Sequence, residues 1–134
     1  MAGYSGKPLS AKLGIKAGSE IYLVNPPEGY LTLVEPLPEG VKLAARLSKN
    51  TDLVHMFTSR KTELARALQS YRSKLKPAAS VWVSWPKKAA KIPTGITEDT
   101  IREVALPLGY VDIKVCAVTE VWSGLKLVIR KELR

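Results

Sequence analysis

The segment Ser80–Trp85, SVWVSW, constrains the fold of this chain more than any other part of its sequence. Apolar and β-branched residues follow one another here, without the alternation of apolar and polar residues that marks a strand with one solvent-exposed face. This pattern is typical of a strand that is buried on both faces. Such a strand lies inside a sheet that other elements cover on both sides, so the segment indicates an α/β protein.

The segments on either side of this strand supply the other elements of such a domain. Asp52–Phe57 is predicted to be a second strand, and Ser59 to cap a helix over Arg60–Leu75. One face of that helix is apolar, at Leu64, Leu68, Tyr71 and Leu75. Thr97 is predicted to open another helix, which Gly109 closes. Its buried stripe is Ile101, Val104, Ala105 and Leu108.

The two ends of the chain complete the predicted sheet. Glu20–Val24 is a strand candidate, Tyr30–Glu35 a turn or two of helix, and Val41–Leu47 is ambiguous between strand and helix. Val111–Val118 and Leu125–Lys131 are predicted as the last two strands, joined by a turn around Ser123-Gly124. This order predicts a small, mostly parallel sheet with an antiparallel hairpin at its C-terminal end.

Length and composition predict a single domain over residues 1–134. No apolar run approaches the roughly 20 residues of a membrane-spanning helix, so no membrane partner is expected. The start, MAGYSGKPLSAKLGIKAG, shows no apolar leader. Cys116 is the only cysteine, which excludes an internal disulfide and suits a reducing compartment. We therefore expect a cytoplasmic protein.

The charge is strongly positive and unevenly distributed. The formal net charge is +9, and Arg60–Lys91 contains nine basic residues against one acidic residue, Glu63. A basic surface attracts anionic partners, so this stretch predicts an association with nucleic acid. The alternative is a solvated helix face that only keeps the protein dissolved. No RNA-binding strand pair with exposed aromatic residues and no helix-turn-helix is visible.

The second half of the chain resembles the S-adenosylmethionine-dependent methyltransferase fold. Three segments carry the resemblance: TDLVHMF, LKPAASVWVSW and LGYVDIKVCAVTEVWSGLKLVIRK. The first is similar to the strand that opens the second half of that fold, and the last to its terminal strand pair. The resemblance implies a Rossmann-like sheet, with a glycine loop after the first strand that holds the cofactor.

The whole chain also resembles a small bacterial family known as a domain of unknown function. The segments that carry this resemblance are MAGYSGKPL, LPEGV, SWPKKA, TEDTIREVALPLG and VWSGLKLVIRKELR. This resemblance implies a fold and brings no established activity.

The segment VNPPEGY stands where the cofactor loop is expected. Asn25, Pro27 and Gly29 occupy the three glycine positions of the methyltransferase pattern. Proline cannot adopt positive φ and has no N–H, so it is a poor substitute where backbone must approach a cofactor. Leu23 stands where the strand should end in an acidic residue. We therefore expect no S-adenosylmethionine and no other cofactor.

Two further observations bear on this loop. Only 22 residues separate Gly29 from Asp52, too few for the two strand–helix units that the complete enzyme fold has there. The fold is therefore expected to be truncated. Asn-Pro-Pro is also the signature of enzymes that methylate amino groups of nucleobases, but those enzymes follow it with an aromatic residue that stacks on the flipped base. Glu28 occupies that position, so the motif is interpreted as a rigid turn.

The candidate ligand site lies at the carboxyl ends of the predicted strands, where open parallel sheets bind ligands. Two indoles could stack on a planar group while two ammonium groups hold a phosphate or carboxylate. The alternative is that Trp85 only finishes a core strand and that Trp122 covers the end of the sheet. The candidate residues are Asn25, Glu28, Trp85, Lys87, Lys88, Trp122 and Ser123.

The remaining reactive side chains are predicted to be structural. His55, Trp82 and Cys116 lie inside predicted strands and are assigned to packing. One histidine and one cysteine are too few for the usual ligand sets of zinc, so no metal is expected. No Gly-x-Ser-x-Gly elbow or P-loop is present. The catalytic residues, if any exist, are unknown.

Three hypotheses for function follow. The first is a non-catalytic, methyltransferase-like binding or regulatory module for an anionic small molecule or a protein partner. The second is a nucleic-acid-associated accessory protein that acts through Arg60–Lys91. The third is an enzyme that uses Lys87 or Lys88 with Glu28.

Overall fold

The computed structural model describes residues 7–134, so residues 1–6 of the opening segment lie outside the described part. The helices are α1 (Leu9–Leu13), α2 (Tyr30–Leu33), α3 (Lys61–Lys74) and α4 (Glu98–Ala105). The strands are β1 (Glu20–Val24), β2 (Lys42–Leu43), β3 (Leu53–Phe57), β4 (Ser80–Pro86), β5 (Tyr110–Ala117) and β6 (Trp122–Ile129). Short 3₁₀ turns occupy Lys88–Ala90, Leu106–Leu108 and Lys131–Leu133.

The strands form one six-stranded sheet in the order β2-β1-β3-β4-β6-β5. The first four strands in this order are parallel, β6 is antiparallel to β4, and β5 is antiparallel to β6. The predicted α/β fold with a C-terminal antiparallel hairpin is confirmed. β4 lies inside the sheet with every residue from Val81 to Pro86 buried, as its continuous apolar sequence predicts.

Two hydrophobic clusters cover the two faces of the sheet. On one face, α3 and α4 pack against side chains that include Val83 and Leu125. On the other face, α1 and α2 cover side chains that include Phe57 and Trp82. The five-residue helix α1 is too short to show a clear period and was not among the predicted elements.

The predicted turn of the hairpin around Ser123-Gly124 is wrong, because both residues lie inside β6. The chain reverses just before Trp122, where Thr119 Oγ1 accepts the backbone N–H groups of Val121 and Trp122 at 3.0 Å each. Gly124 serves packing instead. A Cβ at this position would lie only 3.1 Å from Cε3 of Trp82.

The N-terminus of α3 also differs from the prediction. Arg60 is the residue before the helix, and no side chain caps it. Ser59 lies one residue farther from the helix, and its carbonyl accepts the N–H of Gly95 at 2.9 Å and the hydroxyl of Thr94 at 3.3 Å, which ties it to the loop after β4. The cap predicted for α4 is confirmed, since Thr97 accepts the N–H of Thr100 at 3.2 Å.

Candidate functional site: a cleft at the carboxyl edge of the sheet

The loop between β1 and α2 forms one wall of the site. Asn25 and Gly29 have positive φ angles of 53° and 80°, and Pro27 lies between them. Asn25 Nδ2 donates to the carbonyl of Phe57 at 3.4 Å, which ties the loop to the end of β3. Gly29 then leads directly into α2. The rigid turn that the sequence predicts is therefore present at the carboxyl edge of the sheet.

This loop and the β5–β6 turn enclose an open cleft of about 540 Å³. The lining is mostly apolar, and Glu28 supplies its one charged side chain. We call this space the carboxyl-edge cleft; it is lined by Pro27, Glu28, Gly29, Thr32, Leu33, Thr119, Val121 and Trp122.

The two indoles of the predicted site do not meet. In the antiparallel pairing of β4 with β6, Trp85 lies opposite Ser123 and Pro86 lies opposite Trp122. Consecutive residues of a strand point to opposite faces, so Trp85 and Trp122 are on different sides of the sheet. Trp85 is 8% exposed in the core against α3 and α4. The predicted stacking clamp is therefore wrong, and for Trp85 the core alternative holds.

The other candidates are divided between several places. Lys87 is fixed by its backbone, which donates to the carbonyl of Val121 at 2.7 Å, and Lys88 begins an exposed 3₁₀ turn. Neither lysine lines the cleft. Within residues 7–134 no ion pair joins either of them to Glu28. Ser123 shares the face of Trp85, so the cleft retains only Glu28 and Trp122 from the predicted set.

A buried polar network supports the cleft from below. The hydroxyl of Tyr30 hydrogen-bonds to Nδ1 of His55 at 2.8 Å, and Nε2 of His55 hydrogen-bonds to Oγ of Ser84 at 2.7 Å. His55 and Ser84 are fully buried. Burial lowers the pKa of His55 to about 3, so the imidazole is neutral at pH 7. Its two hydrogen bonds satisfy both ring nitrogens, which confirms the prediction that it is a packing residue.

The sequence did not indicate the partners of His55. Tyr30 opens α2, and Ser84 lies in β4, so three separate segments meet in this network. An aromatic chain extends it to the cleft. The ring of His55 stacks on Phe57 with centroids 4.3 Å apart, and Phe57 meets the indole of Trp122 edge to face at 5.1 Å. The position of Trp122 is therefore coupled to the core by direct contacts.

Trp82 and Cys116 are packing residues, as the sequence predicts. Trp82 is fully buried, and its Nε1 donates to the carbonyl of Leu13 at 2.8 Å. Cys116 is buried, and burial raises the pKa of its thiol. Among the residues that the structure describes, no group of acidic, cysteine or histidine side chains could hold a metal ion. None of the helices in residues 7–134 is long and apolar enough to span a bilayer.

The basic stretch Arg60–Lys91 does not form one continuous surface. Lys61 pairs with Glu103 at 3.1 Å, and Arg72 Nε donates to the carbonyl of Leu108 at 2.9 Å. Lys76 precedes β4 while Lys87 follows it, so these two charges lie at opposite ends of the strand. An association with nucleic acid through this stretch stays a prediction.

No protein-family model matches the chain, and no curated protein matches its sequence. Solved structures do match its fold. The PH0226 protein from Pyrococcus horikoshii aligns with a TM-score of 0.61 at 13% identity, over 92% of this chain and 87% of that one. A SAM-dependent methyltransferase from Aquifex aeolicus aligns with a TM-score of 0.60 at 14% identity, over 91% and 88% of the two chains.

The fold is methyltransferase-like. A putative type 11 methyltransferase from Sulfolobus solfataricus supports the same conclusion, with a TM-score of 0.61 at 12% identity over 92% of this chain and 90% of that one. At such identities the likeness concerns the fold alone. The resemblance to a bacterial family rests only on the sequence segments that suggested it.

The methyltransferase-like fold is reduced between β1 and β3. Only the four-residue helix α2 and the two-residue strand β2 lie between them. β2 forms one edge of the sheet. It pairs with β1, where Lys42 lies opposite Glu20 and Leu43 lies opposite Ile21. The truncation predicted from the short spacing is therefore present in the structure.

Proposed function

We propose that this chain is a non-catalytic, methyltransferase-like binding module whose ligand occupies the carboxyl-edge cleft in place of S-adenosylmethionine. The observation that carries the proposal is the loop after β1, in which Pro27 stands between the two positive-φ residues Asn25 and Gly29. A prolyl ring there adds bulk and removes an N–H donor where a cofactor loop offers bare backbone. The single cysteine suits the cytoplasm, where we place the module.

The lining of the cleft determines which chemistry it would take. Leu33, Val121 and the indole of Trp122 offer apolar contact, and Glu28 disfavours an anion. The volume of about 540 Å³ falls within the range of small-molecule sites. The cleft therefore suits a neutral or cationic aromatic group, either of a small molecule or of a side chain on a protein partner. This replaces the anionic ligand expected from the sequence for this edge.

The same lining argues against catalysis. Glu28 is exposed, and Oγ1 of Thr119 already accepts two backbone N–H groups. His55, which could act as a base, is sealed beneath the cleft with both nitrogens occupied. Covalent and acid–base catalysis need a nucleophile or acid within reach of a partner group. Among the residues that line the cleft we find no such pair.

We expect indole, a neutral aromatic probe, to bind the cleft, and Leu33→Ala to weaken this binding about fivefold because a lining contact of roughly 1 kcal/mol is lost. Leu31→Ala is the matched control. Both leucines are exposed on α2, at 37% and 47%, but only Leu33 lines the cleft. Amide chemical shifts of labelled protein measure the titration, with the largest changes expected at Gly29, Val121 and Trp122.

This titration also has a clear negative outcome. Shifts scattered over the surface, or equal losses for the two leucine variants, would exclude the cleft as the binding site. Binding with unchanged affinity in Trp122→Ala would lead to the same conclusion, since the indole is the largest apolar group in the lining.

A further inference from the structure

A second pocket, also of about 540 Å³, lies at the opposite edge of the sheet. Ser80, the first residue of β4, lines it, whereas the last residue of that strand pairs with Trp122 in the cleft. The two sites are thus separated by the length of the strand. We call this second space the lysine pocket; it is lined by Gly14, Lys16, Ala17, Gly18, Ser19, Asp52, Lys76, Ala78, Ser80, Lys126 and Val128.

The charges of the lysine pocket are not balanced. Asp52 is its one carboxylate, and it is already occupied by an ion pair with Lys76 and by the N–H of Glu20, which donates at 2.8 Å. Within residues 7–134, Lys16 and Lys126 form no ion pair with any carboxylate. Two ammonium groups therefore face this space without a counter-charge.

Lys126 is held in the pocket by its surroundings. It is half-buried on β6, and its ammonium lies so close to the backbone of Gly14 that a Cβ there would be 3.0 Å from Nζ. Lys114 lies opposite it on β5, with its own ammonium fixed on the carbonyl of Lys12 at 3.0 Å. Burial and the nearby charges of Lys114 and Lys16 lower the pKa of Lys126. A compact anion would relieve this repulsion.

We propose that the lysine pocket binds the phosphate group of a small molecule, with the ammonium groups of Lys16 and Lys126 as its direct contacts. Lysine ammonium groups hold phosphate through charge-assisted hydrogen bonds. The pocket volume admits a small phosphorylated molecule. Only two unpaired lysines line the pocket, whereas a nucleic-acid site uses a row of basic side chains to contact successive phosphates. The site is independent of the carboxyl-edge cleft, so either could exist without the other.

The test is a titration with inorganic phosphate and with pyrophosphate at constant ionic strength, because salt screens exposed charges. We expect saturable amide shifts at Gly14 and Ala17. Lys126→Met should weaken binding at least tenfold, and Lys16→Met severalfold. Lys88→Met is the matched control, since it removes the same charge from an exposed position at the other edge of the sheet and should leave the affinity unchanged.

Several outcomes would overturn the proposal. These are shifts that do not saturate, equal losses in Lys126→Met and Lys88→Met, or a short oligonucleotide that displaces pyrophosphate and binds more tightly. A melting curve establishes whether Lys126→Met is folded. If this variant does not fold, Lys16→Met carries the test, because Lys16 is exposed and its removal leaves the core intact.

Discussion

Lowering the pH from 7 to 5 is expected to reduce the free energy of unfolding by about 2 kcal/mol, and the cause is His55. Burial lowers the pKa of this group to about 3 in the folded protein, from an ordinary value of 6.5. Below pH 6.5 the unfolded chain binds a proton that the folded chain rejects, so stability present at neutral pH is lost as the pH falls toward 3. His55 is the only histidine of the chain, so few other groups titrate in this range.

Urea denaturation at a series of pH values measures this loss. In His55→Gln the dependence between pH 7 and 5 should largely vanish, while the variant is less stable at every pH because Tyr30 and Ser84 lose a partner. The imidazole resonances of the folded wild-type protein give a direct check. An imidazole that titrates near pH 6.5 in the folded state would show that His55 is not buried between Tyr30 and Ser84 as described.

Trp82→Ala is expected to cost about 4 kcal/mol, the largest effect of any substitution that we consider. The indole is fully buried, and its Nε1 donates to the carbonyl of Leu13, which joins α1 to the middle of the sheet. The substitution leaves a cavity and an unpaired carbonyl together. Trp82→Phe keeps most of the volume and should cost about 2 kcal/mol, since it removes the hydrogen bond.

Trp122→Ala is the control for this experiment. Its indole is half-buried at the rim of the cleft, so we expect a loss of only about 1–2 kcal/mol. Equal losses at positions 82 and 122, measured by chemical denaturation, would show that the packing of α1 on the sheet is not as described.

Local signals predicted most elements of the fold. β1 has the bounds that its apolar run indicates. Thr97 caps α4, and a threonine followed by two acidic residues is a signal for a helix N-terminus that can be read from the sequence. Leu64 and Leu68 are buried as the period of α3 predicts. Each of these features depends on neighbouring residues in the chain, which is why one sequence suffices to find them.

The candidate site was harder to predict because it depends on register between distant strands. Whether Trp122 shares a face with Trp85 is set by the register of β6 on β4, in which Trp122 pairs with Pro86. A hairpin turn placed around Ser123-Gly124 does not predict this pairing. The contacts of Tyr30 with His55 join residues 25 positions apart and leave no trace in the local sequence. The lysine pocket likewise combines Lys16 with Lys126, which only the folded chain brings near each other.

We expect the loop around Pro27 not to hold an adenosyl cofactor, because the prolyl ring stands between Asn25 and Gly29. Isothermal titration of this chain with S-adenosylmethionine is therefore the most direct test. We predict no saturable heat up to on the order of 1 mM ligand. A dissociation constant in the micromolar range would show that the loop does hold the cofactor.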